Sequence, residues 1–306
     1  MKKSRDMIKK QRKVKLGKED RIFYTICYAV LIFLTIIVLY PVVYIVSASF
    51  SSSGAVARGE VWLYPVNFSL EGYKAVLRYK DVWLGYRNTI FYVVAGTLIN
   101  VTMTLVCAYP LTRKDLWGKN FISLMMSFTM IFGGGMIPNY LLIKSLGMIN
   151  TIWAMLIPGA VSIYNIIVTR TFIQSNMPDE LLESTKIDGC DDFKFFFKMV
   201  LPLSKAIIAV LTLRFAVGHW NAYFNAFMYL YDKNLYPLQI FLRDVLVNSS
   251  FSADMTMSAE DLEALQNLKL LLKYSIIVVS TAPLLVIYPF VQKYFVKGVM
   301  IGSVKG

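Results

Sequence analysis

ESTKIDGCDDFKFFFKMVLP, residues 183–202, is a charged segment between two long apolar stretches of the chain. It contains three Asp, three Lys and one Glu, with Gly189 near its centre and Leu201-Pro202 at its end. The whole chain has 306 residues, of which 57% are hydrophobic and 17% are charged. Soluble domains carry about 25% charged residues, so this composition indicates a membrane protein in which the segment forms a loop outside the bilayer.

Six stretches of the chain are apolar enough, and about long enough, to cross a bilayer. A transmembrane helix needs about 20 mainly apolar residues. We therefore predict an all-α integral membrane protein with a basic tail at 1–22 and a membrane domain at 23–306. The predicted spans are residues 23–47, 89–111, 121–142, 152–168, 206–229 and 274–290.

The distribution of Lys and Arg predicts the orientation of these spans, because such residues are enriched in cytoplasmic loops. With the N-terminus inside, the tails and loops on that side hold 21 Lys and Arg, and those on the other side hold 10. We therefore expect both termini, and loop 170–205, in the cytoplasm. The net charge of +13 then suits contact with anionic membrane lipids. Since no recognition motif accompanies the basic tail, we expect no nucleic-acid partner.

The sequence lacks the common motifs of catalytic and metal sites. It has no P-loop (GxxxxGKS/T), HExxH, GxSxG or CxxC motif, and His219 is its single histidine. The spacing of the three cysteines, Cys27, Cys107 and Cys190, matches no metal site, and their predicted locations imply no disulfide framework. We predict no catalytic residue, no metal site and no cofactor bound by this chain.

The fifth predicted span contains an unusual group of polar and aromatic residues. An ionisable residue inside a span is costly and indicates a functional site, and Arg214 lies clearly inside this one. A tryptophan ring that stacks on a sugar and an amide that bonds its hydroxyls would suit carbohydrate recognition. The alternative is that Arg214 joins helices by bonding backbone carbonyls or a partner subunit. The predicted substrate-path residues are Arg214, His219, Trp220, Asn221 and Tyr223.

Local signals divide loop 174–204 into two short helices. Pro178 suits the first turn of one helix, and Gly189 permits its end or a reversal of the chain. Asp191 or Asp192 can cap a second helix, which Pro202 ends before the fifth span. Exposed phenylalanines on such a loop suggest a docked protein partner. The alternative is a solvated loop that lies on the bilayer surface.

The same loop resembles the E-A-A-x3-G-x9-I-x-L-P pattern of the permease subunits of bacterial ABC importers. Glu183 and Gly189 stand at the Glu and Gly positions, and Leu201-Pro202 ends the pattern at the expected spacing. The two alanines are replaced by Ser184 and Thr185, and the isoleucine is replaced by methionine. Segments 132–165, 220–224 and 288–306 are similar to the carbohydrate permeases of the LplC and YtcP branch.

This resemblance implies a fold and a set of partners. It implies the type I importer fold with six spans, in a multi-pass subunit of the bacterial cell membrane. It also implies a second homologous permease, two cytoplasmic ATPases that bind ATP and Mg, and an extracellular sugar-binding lipoprotein. An oligosaccharide is the implied substrate, and ATP hydrolysis is expected only in the ATPase subunits.

In that family the loop inserts a short helix into a groove of the ATPase, and we therefore call residues 174–204 the coupling loop. The residues to which the resemblance and the local pattern assign coupling are Glu183, Ser184, Thr185, Asp188, Gly189, Phe193, Phe196, Leu201 and Pro202. Three other functions stay open on the sequence: an ABC permease for another solute such as a peptide, a six-span secondary transporter or channel, and a structural or sensory membrane subunit.

Overall fold

The computed structural model describes residues 17–187, 189–247 and 269–289, and all regular structure in these ranges is helical. Single turns of 3-10 helix occur at Pro110–Thr112 and Lys233–Leu235. In chain order the other helices are α1 (Lys18–Ser49), α2 (Ser53–Ala57), α3 (Glu71–Arg78), α4 (Lys80–Ala108), α5 (Lys119–Ile131), α6 (Met136–Ser145), α7 (Trp153–Leu156), α8 (Ile163–Asn176), α9 (Asp179–Ile187), α10 (Asp192–Leu203), α11 (Lys205–Trp220), α12 (Phe224–Tyr229), α13 (Leu238–Val247) and α14 (Lys269–Pro289).

Within the described residues, three helices are long and apolar enough to cross a membrane: α1, α4 with its following turn, and α14. Two bent pairs qualify when each pair is counted as one span, which raises the number to five. The pair α5–α6 is bent by 115° and the pair α10–α11 by 77°. The all-α membrane class is therefore confirmed, and the count of six spans stays a prediction.

The first helix begins earlier than the sequence predicted. Because α1 starts at Lys18, the last residues of the predicted tail 1–22 belong to this helix, while residues 1–16 lie outside the described chain. Most of α1 is exposed, and its only buried residues are the last three, Ser47, Ala48 and Ser49. An apolar helix exposed along most of its length is suited to contact with lipid.

The predicted fourth span, 152–168, is not one helix. It comprises α7, an irregular segment and the start of α8. Pro158 lacks a backbone donor and Gly159 has φ +82°, and both features interrupt a helix. The side-chain amide of Asn100 on α4 donates to the carbonyl oxygens of Gly159 and Ala160, at 2.8 and 3.1 Å. These bonds satisfy backbone groups that a continuous helix would have paired.

Helix α4 is the central support of the fold, because its buried polar side chains bind the backbone of other segments. Asn88 donates to the carbonyls of Asn234 and Tyr236, at 2.7 and 3.0 Å. The hydroxyl of Tyr92 donates to the carbonyl of Leu235 at 2.9 Å. The segment between α12 and α13 is thereby fixed on α4 by hydrogen bonds whose polar groups would otherwise be unpaired in an apolar surrounding.

Helix α4 approaches α11 closely at Gly96. A side chain at this position would overlap the ring of His219, so only glycine permits the approach. The Nε2 atom of His219 lies 2.8 Å from Oδ1 of Asn100. Since the amide nitrogen of Asn100 already donates to two carbonyls, its oxygen accepts here and Nε2 of His219 carries the proton. Helices α4 and α11 therefore form one packed unit.

Candidate functional site

The reversal in the coupling loop is built around Gly189, which has φ +73°. Its backbone N–H donates to the carbonyl of Lys186 at 3.0 Å, and that of Cys190 donates to the carbonyl of Thr185 at 3.0 Å. This pair of bonds is a Schellman motif, which ends α9 and satisfies its last carbonyls. The predicted role of Gly189 in ending the first short helix is confirmed at the level of local structure.

The second short helix, α10, is capped by Asp191, whose Oδ1 accepts the backbone N–H of Lys194 at 2.7 Å. The sequence left the cap open between Asp191 and Asp192, and the structure assigns it to Asp191. The helix ends at Leu203, one residue after the predicted stop at Pro202, and the chain bends by 77° before α11. Residues Phe196–Val200 form a π-helical turn just before the proline, which offers no N–H to the preceding turn.

The phenylalanines of α10 differ in their burial. Phe193 is 79% exposed and Phe197 is also exposed. Phe195 and Phe196 are buried, and the ring of Phe196 lies 5.2 Å from the ring of Tyr109 at the end of α4. Phe196 was grouped with Phe193 as a coupling residue, and in this chain it packs α10 against α4 while lining the same cleft as Phe193.

The exposed surface of α9 contains the start of the predicted pattern. Glu183 and Ser184 are exposed, and Ile187 is 87% exposed. Thr185 is half-buried, and its hydroxyl bonds to the carbonyls one turn back in its own helix. Asp188 lies outside the described residues. At the far end of the loop Leu201 is half-buried and Pro202 is exposed.

A buried arginine joins the coupling loop to the end of α4, and the sequence analysis missed it. Arg113 donates from Nε and Nη2 to the two carboxylate oxygens of Asp115, at 3.1 and 2.9 Å. Its Nη2 also lies 3.3 Å from Oδ1 of Asp192, and Lys186 lies 3.8 Å from Asp115. The hydrogen bond from Arg113 holds the pKa of Asp115 below its ordinary value, so this carboxylate is ionised at neutral pH.

Two clefts open on either side of Arg113, and both are also lined by Tyr109 and Asp115. One cleft of about 480 Å³ reaches Glu183 on α9. The other, of about 540 Å³, reaches the exposed Phe193 on α10. Each short helix of the coupling loop therefore borders a recess that is large enough for a side chain.

A second candidate site is the exposed side of α11. Arg214, Gly218 and Asn221 are exposed and follow one another at helical spacing, so they share one face. The guanidinium of Arg214 lies 4.8 Å from the ring centre of Tyr164 on α8. No ion pair of the described residues involves Arg214. A cation at this depth is tolerated where it meets protein or water instead of lipid.

Two of the predicted substrate-path residues are enclosed in the chain itself. Trp220 is 6% exposed, and its Nε1 donates to the carbonyl of Ser280 on α14 at 3.0 Å. His219 packs against Gly96 as described above. Trp220 is therefore too buried to stack on a sugar in this structure, and the half-buried His219 is held against α4. Asn221 and Tyr223 remain exposed, although the amide of Asn221 bonds to its own helix.

The chain thus has two distinct surfaces of interest: an exposed apolar and acidic surface on the coupling loop, and a polar face on a membrane helix. Among the described residues, no group of three or more His, Cys, Asp and Glu is placed to hold a metal ion. Within the described residues, an all-helical architecture with these two surfaces is typical of a subunit of a membrane protein complex.

The family follows from the sequence over most of the chain's length. Residues 82–301 match the family described as "Binding-protein-dependent transport system inner membrane component", and the chain belongs to this family. It is therefore a permease of the ABC transporter type, a non-catalytic subunit located in the inner (cytoplasmic) membrane. The resemblance found in the coupling loop is confirmed.

Curated relatives extend the similarity to nearly the full chain. The permease protein YtcP of the polygalacturonan/rhamnogalacturonan transport system of Bacillus subtilis is 38% identical over 94% of this chain and 100% of its own length. Protein LplC of the same organism is 40% identical, over 88% of this chain and 90% of its own. A chain from the crystal structure of a bacterial ABC transporter involved in the import of the acidic polysaccharide alginate is 34% identical. It has a TM-score of 0.83 and matches over 92% of this chain and 99% of its own length.

Proposed function

We propose that this chain forms one half of the translocation path of an ATP-driven importer for oligosaccharides. In this proposal it pairs with a second homologous permease, two ATPase subunits and an extracellular sugar-binding lipoprotein. Both chain termini, and the coupling loop, lie in the cytoplasm. The names of YtcP and of the alginate importer support a carbohydrate substrate.

The observation that carries this proposal is the exposed surface of the coupling loop. Ile187, Phe193 and Phe197 are exposed at the two short helices, although each is a large apolar side chain. Exposed apolar patches on a folded loop mark docking sites for other proteins. Glu183 and Ser184 lie beside them, which gives the surface a polar rim suited to a protein interface.

The roles of the coupling residues follow from their positions. Glu183, Ser184, Phe193 and Pro202 would contact the ATPase, because they are exposed. Gly189 would fix the angle between the two short helices, and Thr185, Phe196 and Leu201 would support the loop from its buried side. The assignment of Asp188 rests on the sequence pattern alone.

For the substrate we propose an acidic oligosaccharide that passes along the exposed face of α11. Arg214 supplies a fixed positive charge beside the Tyr164 ring, an arrangement suited to a sugar carboxylate. Asn221 and Tyr223 would add contacts to hydroxyl groups. Trp220 and His219 would support this face from behind, because they are enclosed by α4 and α14.

The test is uptake by the reconstituted complex. The complex is assembled in liposomes with its binding protein, and accumulation of a labelled oligogalacturonide is compared with that of an uncharged oligosaccharide of equal length. We expect uptake that requires ATP and favours the acidic sugar. Arg214→Gln should abolish this preference, whereas the control Arg58→Gln, outside the predicted spans, should not. ATP-independent uptake would contradict the importer, and equal uptake of both sugars would contradict the substrate class.

A further inference from the structure

Arg113 is a buried charged residue, whereas an apolar side chain would suffice to anchor the loop. Among the residues that the structure describes, it is the one charged side chain in the buried set, at 8% exposure. The carboxylates around it are largely exposed, so the guanidinium is the enclosed member of the group. A buried charge persists only where partners satisfy it, and its removal affects every partner at once.

The ionic group formed by Arg113, Asp115, Asp192 and Lys186 connects three segments. Asp115 belongs to the loop that leaves α4, and Asp192 lies in the first turn of α10. Lys186 of α9 approaches Asp115 from the other short helix. Both arms of the coupling loop are therefore tied to the end of α4 through one ionic group.

Apolar contacts also join the coupling loop to α4. Tyr109, at the C-terminal end of α4, packs its ring against Phe195 and Phe196 of α10, with ring centres 6.4 and 5.2 Å apart. Further along α4, Gly96 and Asn100 contact His219 of α11. A continuous chain of packed groups thus runs from the coupling loop through α4 to the helix that carries Arg214.

We propose that Arg113 is the positioning residue that locks the coupling loop to α4, so that movement of the loop is passed through α4 to the α11 face. This inference rests on the proposed function, because it presumes that an ATPase moves the loop. Arg113 lines the two clefts beside the predicted docking surface, but its own side chain is buried, and it contacts no residue of the predicted substrate face. Its loss should therefore separate ATP hydrolysis from transport without preventing the ATPase from binding.

The variants are chosen to separate this role from folding. Arg113→Gln removes the charge, and Arg113→Lys keeps the charge but loses the forked bond to Asp115. Asp192→Asn leaves the bond between Arg113 and Asp115 in place and removes the negative charge that pairs Arg113 with α10. The matched control is Arg58→Gln, which breaks the exposed pair between Arg58 and Glu60, at 2.6 Å, in a different loop.

Each complex is reconstituted in liposomes, and three quantities are measured: ATPase subunits retained, ATP hydrolysed, and labelled sugar accumulated per ATP. We expect Arg113→Gln and Asp192→Asn to keep the ATPase but lower sugar per ATP by about tenfold. The amount of sugar accumulated per ATP by Arg113→Lys should lie between that of these two variants and that of the unaltered complex. The double variant, Arg113→Gln with Asp192→Asn, should accumulate as much sugar per ATP as Arg113→Gln alone, because both changes break the same link. Arg58→Gln should behave as the unaltered complex.

Three results would overturn the inference. One is an unchanged ratio of sugar to ATP in Asp192→Asn, which decides the matter even if Arg113→Gln fails to assemble. Another is an additive loss in the double variant, which would show that the two residues act independently. The third is loss of the ATPase in both single variants, which would make the group part of the docking surface. Failure of the unaltered complex to import any sugar would instead contradict the proposed function.

Discussion

Replacing Gly189 by alanine tests the bend of the coupling loop with almost no other change. The backbone at this position has φ +73°, and no atom lies within 4 Å of the place where a side chain would begin. The substitution therefore adds conformational strain and no steric clash. The left-handed conformation costs an L-residue about 1–2 kcal/mol, which lowers the population of the bent loop by a factor of about 5–30 relative to its alternatives.

Three substitutions at Gly189 form a graded series. Asparagine tolerates the left-handed conformation, alanine is strained there, and proline cannot adopt it and also loses the N–H that donates to Lys186. We expect binding-protein-stimulated ATP hydrolysis by the reconstituted complex to fall in the order Gly, Asn, Ala, Pro. All three variants should still insert and pair with the second permease, because no membrane helix is altered.

Gly59 supplies the control for this series. Its φ is +70°, and no atom lies within 4 Å of its side-chain position, so Gly59→Ala adds the same strain in a different loop. Stimulated hydrolysis should be normal in that variant. The reasoning would be refuted if Gly189→Ala and Gly59→Ala reduced hydrolysis equally, or if Gly189→Pro retained full stimulation.

Three further predictions use other parts of the chain. Phe193→Ala should reduce co-purification of the ATPase with little change in melting temperature. Phe196→Ala should destabilise the subunit by about 3–5 kcal/mol, because it empties a buried site. Loss of stability in Phe193→Ala and loss of ATPase binding alone in Phe196→Ala would contradict these assignments. Trp220→Ala should lower the melting temperature of the purified complex. Arg214→Gln should lower uptake of the acidic sugar and leave the melting temperature unchanged. An unchanged melting temperature in Trp220→Ala would contradict the packing role of Trp220. Cys190 should react with a membrane-impermeant maleimide only in opened cells, and labelling in intact cells would reverse the proposed orientation.

Much of the coupling loop was predictable because its structure is determined by neighbouring residues. Glycine after a short amphipathic helix ends it, and an acidic residue two or three positions later caps the next helix, so the stop at Gly189 and a cap at Asp191 or Asp192 were readable from local rules. The break in the fourth predicted span also had a local signal, Pro158-Gly159, which the hydropathy pattern outweighed. Chain-wide apolar composition likewise sufficed for the membrane class.

The contacts between distant segments were not predictable in this way. Arg113 pairs with Asp192 across the chain, and nothing in either local sequence marks the partner. Likewise, Trp220 and Asn221 are adjacent in sequence but point to different sides of α11, since successive residues on a helix are about 100° apart. Grouping them as one sugar site overlooked that rotation. Burial by α14, through the carbonyl of Ser280, was decided by tertiary packing alone.

The central claim is that the exposed face of the coupling loop contacts the ATPase. It is tested most directly by a photo-crosslinking amino acid, p-benzoylphenylalanine, placed at Phe193 in the assembled complex. A matched probe at Phe91, an exposed residue of the membrane helix α4, serves as the control. We predict a crosslink from position 193 to the ATPase subunit, identified by mass spectrometry, and none from position 91. Crosslinks from position 193 to lipid alone, with the ATPase present and active, would contradict the account.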